Sequence, residues 1–249
     1  MIAKAATICR QLFSAEDKLD WLKDKLAWQL FQVRLRRQAL RNAGFDRTHS
    51  TDTAADICLE RAGLTATQAR RGNTIYRVFW EDSFEAIFDD LPIDHGQFTF
   101  VDIGAGKGKL LLLASHYPFR RIVGVELAPL LHEIALRNIG TYHSPDQRCT
   151  ELFSVLGDAL LYELPDDALV CLMVNPFDRA TIARVLGRIA DHAQTCGKPV
   201  LAIYANMRRI DEVAGVFDHV GGLDVLVRRR NHVILGNAAA ARLLAAGRT

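Results

Sequence analysis

Between Phe98 and Gly108 the chain reads FTFVDIGAGKG: an apolar run closed by an acid, Asp102, and then glycines at every second position, Gly104, Gly106 and Gly108. Glycine lets a backbone turn sharply and approach a ligand closely, and the start of a helix beyond such a loop offers free N–H groups. Three ligand chemistries use loops of this kind. A phosphate cradle needs GxxxxGK[ST], but Ile103 stands at its first glycine, and Leu110 follows Gly108-Lys109 where a hydroxyl should hold magnesium. A dinucleotide fingerprint, GxGxxG, needs glycine where Lys109 stands. An acid followed by GxGxG is what remains, and alone it is a weak signal.

Residues further along sharpen it. Glu126 closes the next strand, VGVE, 24 residues after Asp102; Asp158 and Ala159 follow the third, in LGDA; Asn175-Pro176-Phe177 closes the fourth. Ligands of open α/β sheets bind at the carboxyl ends of strands, and every one of these residues falls at such an end.

Taken together, DIGAGKG, VGVE, GDA and NPF resemble the motifs of the class I S-adenosylmethionine-dependent methyltransferases, across roughly residues 98–236. More narrowly, FVDIGAGKGKLLLLASHYPFRRIVGVELAPLLHEIALRNI looks like a bacterial group of that family with no assigned substrate, in which FDRTHSTDTAADICLE also has a counterpart. The resemblance implies S-adenosyl-L-methionine as cofactor. By it, Asp102 orients the loop and the methionine end, Gly104, Gly106 and Gly108 give backbone access, Glu126 holds the ribose, and Asp158 with Ala159 meets the adenine. Such a carboxylate–hydroxyl bond is worth roughly 1.5–3 kcal/mol.

Asn175-Pro176-Phe177 resembles the [DNS]-P-P-[FYW] tetrapeptide of amino-group methyltransferases, without its second proline, so the aromatic arrives one position early. The expected activity is in-line methyl transfer to a small-molecule or protein amine. Two alternatives stand beside it: cleavage of the cofactor by its own amine, releasing methylthioadenosine and a cyclic amino acid, and an RNA-binding methyltransferase. Tyr204 and Asn206 end the fifth strand, either near the cleft or simply packed in the sheet. Tyr76, Phe79 and Trp80 lie upstream, either as core or as an aromatic cage for a cation.

The elements that must position these residues alternate strand, helix, strand, helix from Phe98 onward, through RIVGVEL, LFSVLGDA, ALVCLMVNPF and PVLAIYANM to a closing hairpin, LDVLVRRR with HVILGN. That pattern predicts an α/β, Rossmann-like, doubly wound and mostly parallel seven-stranded sheet. Ahead of it lies a helical N-terminal extension. We expect residues 1–92 to form the extension or lid and residues 93–249 the core. A first helix is expected over Ser14–Asn42, capped by Ser14 with Asp17 and stopped by Gly44, its apolar stripe running through Leu19, Leu22, Leu26, Leu30 and Val33. Trp21, Trp28, Phe31 and Leu35 widen the stripe, so packing on more than one side is expected. Residues 45–74 read as a connection, and a second helix is expected over Tyr76–Leu91, ended by Pro92.

Bulk composition fits this reading. The 249 residues are 49% hydrophobic and 24% charged, with a formal net charge of +2. Residues 1–48 hold ten Lys/Arg against five Asp/Glu, whereas the remainder carries a net −3. The arginines at 34, 36, 37 and 41 read as a solvated helix end complementing its dipole, which argues against a nucleic-acid surface. The five cysteines (Cys9, Cys58, Cys149, Cys171, Cys196) form no CxxC pair, and the histidines no metal-ligand spacing. No apolar stretch approaches the ~18 residues of a membrane span, and Lys4 and Arg10 interrupt any signal-like region. A reduced cytoplasmic protein without bound metal is expected; its oligomeric state is left open.

Overall fold

The computed structural model describes residues 15–69, 75–77, 81–206, 213, 215–218 and 220–247. The chain divides into two compact units with the boundary between Gly44 and Phe45. In the first runs most of a long helix, α1 (Ala15–His49). Its Trp21, Leu26, Trp28, Leu30 and Val33 are exposed, against the expectation of packing on more than one side. Ser14 lies outside the described residues, as do the side chains of Leu19 and Leu22. Gly44 does not stop α1, which continues five residues to His49. A glycine costs a helix interior only about 1 kcal/mol.

The second unit begins with short pieces: β1 (Ile57–Cys58), α2 (Ala66–Ala69) and β2 (Ile75–Tyr76), with β1 and β2 paired antiparallel. Tyr76 is therefore in a strand rather than the expected helix, and the helix α3 is Glu81–Asp89. After it come β3 (Phe98–Ile103), α4 (Lys109–Ala114), β4 (Arg121–Glu126), α5 (Pro129–Thr141), β5 (Leu152–Leu156) and β6 (Ala168–Val174). The unit ends with α6 (Arg179–Thr195), β7 (Val200–Ala205), β8 (Asp224–Arg228), β9 (His232–Gly236) and α7 (Ala238–Ala246).

Seven strands form one sheet in the order β5-β4-β3-β6-β7-β9-β8. The first five run parallel, and β9 enters antiparallel between β7 and β8. This is the expected doubly wound α/β sheet. Strand order reverses at β3, whose neighbours are β4 on one side and β6 on the other, so the crevice where ligands bind in such sheets opens beyond Ile103.

Parallel strands covered on both faces read as continuous apolar runs, and β3, β6 and β7 do. One face carries Phe98, Phe100, Ile122 and Leu172 against Phe84 and Phe88 of α3 and Leu111 and Leu112 of α4. The other carries Val101, Ile103, Val125 and Met173 against Ile182, Val185, Leu186 and Ile189 of α6. Side-chain caps fix where two helices begin: Asp178 accepts from Thr181 N–H at 2.7 Å, and Asn237 from Ala240 N–H at 3.0 Å. The alanine-rich tail is thus the helix α7. Among the described residues no helix is long and apolar enough to cross a membrane.

Candidate active site

Beyond Ile103 the chain must turn from the centre of the sheet into α4 within five residues. It does so with Gly104, Gly106 and Gly108 all left-handed, at φ of 87°, 56° and 81°. Other residues enter that region at a cost of about 1–2 kcal/mol. Space forbids side chains as well. A Cβ on Gly104 would come 2.7 Å from Cβ of Pro176, and one on Gly106 would enter the ring of Tyr76. The loop is tied to β4, since Gly104 N–H and Ala105 N–H donate to the Val125 carbonyl at 2.8 and 3.1 Å.

Two acids lie beneath this loop. Asp102 is 1% exposed, and neither carboxylate oxygen has a hydrogen-bond partner among the described residues. Burial, with the charge of Glu126 nearby, pushes its pKa up to about 8. Glu126 is buried too, but paired: Oε2 accepts from Gly106 N–H at 2.7 Å and Oε1 from Ala128 N–H at 2.8 Å. Burial raises its pKa, and those N–H bonds pull the other way. Each oxygen keeps a second lone pair for a ligand hydroxyl.

The turn after β5 and the residues after β6 border the same loop. Gly157 N–H donates to the Glu126 carbonyl at 2.9 Å, which brings the turn after β5 alongside. There Asp158 accepts from Leu160 N–H at 2.9 Å. Ala159 lines a small, mostly apolar cavity with Ile103, Val125, Tyr162 and Ile189. From the opposite side comes Asn175, left-handed at φ 44°. Pro176 packs over Gly104, and Phe177 is half-buried against the core beside α6.

Tyr204 belongs to the core, fully buried with its ring 5.3 Å from Phe217. It still reaches the site indirectly, because its hydroxyl donates to Asn175 Oδ1 at 2.9 Å. Asn206 is buried, with its N–H on the Asn231 carbonyl at 2.9 Å. Phe79 and Trp80 lie outside the described residues.

A second group surrounds Tyr76, which was read as core or cage, and draws on residues 46–54, to which sequence reasoning gave no individual roles. Asp46 accepts from Thr51 Oγ1, from both Thr53 N–H and Oγ1, and from Ala54 N–H, all within 2.7–2.9 Å. Tyr76 lies on Gly106 and donates its hydroxyl to the Thr53 carbonyl at 3.1 Å. Its pKa is raised by burial and then by the charges of Asp46, Asp102 and Glu126. The Lys107 ammonium, 1% exposed, meets Asp52 at 2.8 Å. Lys109, similarly buried, meets Glu81 at 2.6 Å, and burial lowers its pKa against that pairing. The spacing of Asp46 from Thr51 and Thr53 was the available signal, since a short acid readily caps a following turn. Among the described residues no group of three or more His, Cys, Asp or Glu is arranged to hold a metal.

No family model matches the chain, and no curated protein matches its sequence. Solved structures do. Magnesium protoporphyrin IX methyltransferase from Synechocystis PCC 6803, with bound S-adenosylmethionine, is 10% identical at a TM-score of 0.46, covering 64% of this chain and 79% of that one. An RNA methyltransferase from Salinibacter ruber, in complex with S-adenosyl-L-homocysteine, is 14% identical at 0.43, covering 65% and 93%. A mitomycin 7-O-methyltransferase is 19% identical at 0.42, covering 62% of this chain and 53% of its own length, so this chain spans about half of that protein.

Proposed function

We propose that this protein is an S-adenosylmethionine-dependent methyltransferase transferring a methyl group in line to a small-molecule or protein amine. The observation that carries the reading is the Asp102 carboxylate, buried without a hydrogen-bond partner among the described residues beside a loop of three left-handed glycines. A carboxylate sealed away without a donor is costly, and a cationic group of a ligand relieves that cost. The cofactor's ammonium fits the need.

On this reading Asp102 holds the ammonium, Glu126 uses its remaining lone pairs for ribose hydroxyls, and Asp158 with Ala159 borders the adenine. When bound, the cofactor supplies a methyl group already activated on a sulfonium, whose departing thioether is neutral. This chain's task is then to hold the acceptor in line with that methyl, with reacting atoms about 3–3.5 Å apart. Asn175, Pro176 and Phe177 are the residues proposed to do so, with Tyr204 fixing the Asn175 amide. The amine preference rests on the likeness of Asn175-Pro176-Phe177 to an amine-methylating tetrapeptide. Residues 1–92 are proposed as a helical extension serving the core of residues 93–249. Deleting residues 1–44 without change in cofactor affinity or turnover would count against a lid role.

The deciding experiment is mass spectrometry of the purified protein incubated with S-adenosylmethionine alone, against a boiled control, followed by a panel of amines. Retained, unconverted cofactor and an amine-dependent methylated product are expected. Enzyme-dependent methylthioadenosine with a new cyclic amino acid would replace methyl transfer with cofactor cleavage. Absence of any cofactor binding would remove both.

A further inference from the structure

Asn138, near the end of α5, was singled out by nothing in the sequence, yet it is 3% exposed and its amide makes three hydrogen bonds to backbone. Its Oδ1 accepts from Asp52 N–H at 2.8 Å. Its Nδ2 donates to the Asp52 carbonyl at 3.1 Å and to the Lys107 carbonyl at 2.8 Å. One side chain therefore clasps two strands of backbone that are distant in sequence: the segment after α1, and the middle of the glycine loop.

The same two strands are tied twice more. The buried Lys107 ammonium pairs with Asp52 at 2.8 Å, and a buried ammonium requires such a counter-charge. Tyr76 rests on Gly106, bonds the Thr53 carbonyl at 3.1 Å, and has the Lys107 ammonium 5.7 Å from its ring centre. Asp46 holds the turn through Thr51, Thr53 and Ala54 in the shape that these contacts need. Gly106 and Lys107 thus lie beneath a cover built from residues 46–54 and Tyr76.

We propose that this cover is a latch over the cofactor end of the site and that Asn138 is its positioning residue: it fixes Asp52, which fixes Lys107, and so sets the glycine loop and slows exchange of the cofactor. The proposal rests on the methyltransferase reading for its ligand. Its mechanical half does not, because the three ties exist in the protein alone. The chemistry is consistent, since the charges of Asp46, Asp102 and Glu126 all bear on Tyr76, while Asp52 is paired with Lys107 and Glu81 with Lys109. Three acids about that ring suit a cationic ligand.

Hydrogen exchange followed by mass spectrometry on the full chain tests the latch, with Asn138→Ala and Asp52→Ala compared to wild type. Asn138→Ala removes three hydrogen bonds, so exchange in residues 46–54 and 103–109 is expected to rise at least ~10-fold, the equivalent of one or two such bonds. The hairpin of β8 and β9 serves as control and is expected to stay unchanged. In parallel, dissociation of S-adenosylmethionine and of S-adenosylhomocysteine is expected to accelerate by a similar factor, with KM for the cofactor raised more than kcat is lowered. Unchanged exchange at 46–54 in Asn138→Ala overturns the latch. Should that variant loosen the whole sheet, Asp52→Ala decides, since the Asp52 side chain is 58% exposed and its loss acts through the Lys107 tie and not through a cavity. Faster exchange confined to the cover and the loop supports the proposal, and no change overturns it. A wild type that binds no cofactor, with the exchange result intact, would sink the methyltransferase reading and leave the latch standing.

Discussion

Oε2 of Glu126 accepts the Gly106 N–H at 2.7 Å, so the acid that ends β4 is bonded to the apex of the loop that follows β3. The neighbouring Asp102 has no such donor among the described residues. Two acids at adjacent strand ends are therefore treated oppositely: one is spent on holding the loop, and the other is kept in reserve. Only the second leaves an unmet need, and its charge state governs the first prediction.

Asp102 titrates near 8 because burial disfavours its charged form, and Glu126 adds repulsion. In the unfolded chain it titrates near ~3.9. Between those values the folded protein holds a proton that the unfolded chain has lost, so stability falls as pH rises through that window. Asp102→Asn is expected to flatten this fall and to melt higher than wild type at pH 9 without cofactor. It is also expected to weaken S-adenosylmethionine ~10- to 100-fold, the scale of one bond to a charged group. Wild-type affinity should strengthen from pH 6 to pH 8 and the variant's should not. Calorimetric titration across that range checks it, and parallel slopes would sink the assignment.

Gly106→Ala is expected to fail on two counts, a left-handed φ of 56° and a Cβ inside the Tyr76 ring. The strain alone is about 1–2 kcal/mol, and displacing Tyr76 adds the loss of its bond to Thr53. Thermal unfolding should show a drop of several degrees with loss of cofactor binding. Adding Tyr76→Ala should recover part of the stability. If the double variant is no better than the single one, the ring is not what excludes the side chain.

The sheet was legible because its buried strands are apolar runs punctuated by glycine or an acid, as in FTFVDIG and VGVE. The residues expected at the cofactor site lie at strand ends that converge. The cover was not legible. Asn138 and Asp52 are 86 residues apart and Lys107 and Asp52 are 55 apart, and no local periodicity encodes such pairs. Tyr76 was expected in a helix because aromatics at 76, 79, 80 and 84 suit helical spacing. Its two-residue pairing with β1 is too short to imprint a period of two. Gly44 looked like a stop, but a glycine that keeps ordinary helical angles breaks nothing.

Tyr204→Phe isolates the acceptor side. The change removes the hydroxyl that donates to Asn175 Oδ1 at 2.9 Å and leaves the buried ring in place. A bond of this kind is worth ~0.5–1.5 kcal/mol, so kcat for an amine acceptor is expected to fall up to ~10-fold. Cofactor affinity should stay within twofold, because the bond removed runs to Asn175, a residue assigned to the acceptor. Loss of affinity with kcat preserved would mean that Asn175 belongs to the cofactor side.

Asp90 tests a tie beside the carboxyl end of β7, where it joins the end of α3 to β9. It accepts from Arg229 at 2.5 and 2.9 Å and faces His232 Nε2 at 3.0 Å. Burial works to raise its pKa, but the hydrogen bonds and charges of Arg229 and His232 outweigh it and hold it below the usual carboxylate range. A depressed acid contributes stability that is present above its unfolded value near ~3.9 and lost as pH falls through its folded one. Burial lowers the pKa of His232, with Asp90 pulling it back up. Asp90→Asn is therefore expected to lower the melting temperature at pH 7 by about 2–4 °C, the scale of ~1 kcal/mol in a chain of this size. It should also make the acid limb between pH 5 and pH 3 shallower, while leaving cofactor affinity unchanged. Melting curves at both pH values check it; an equally steep acid limb would show that Asp90 carries no linked charge.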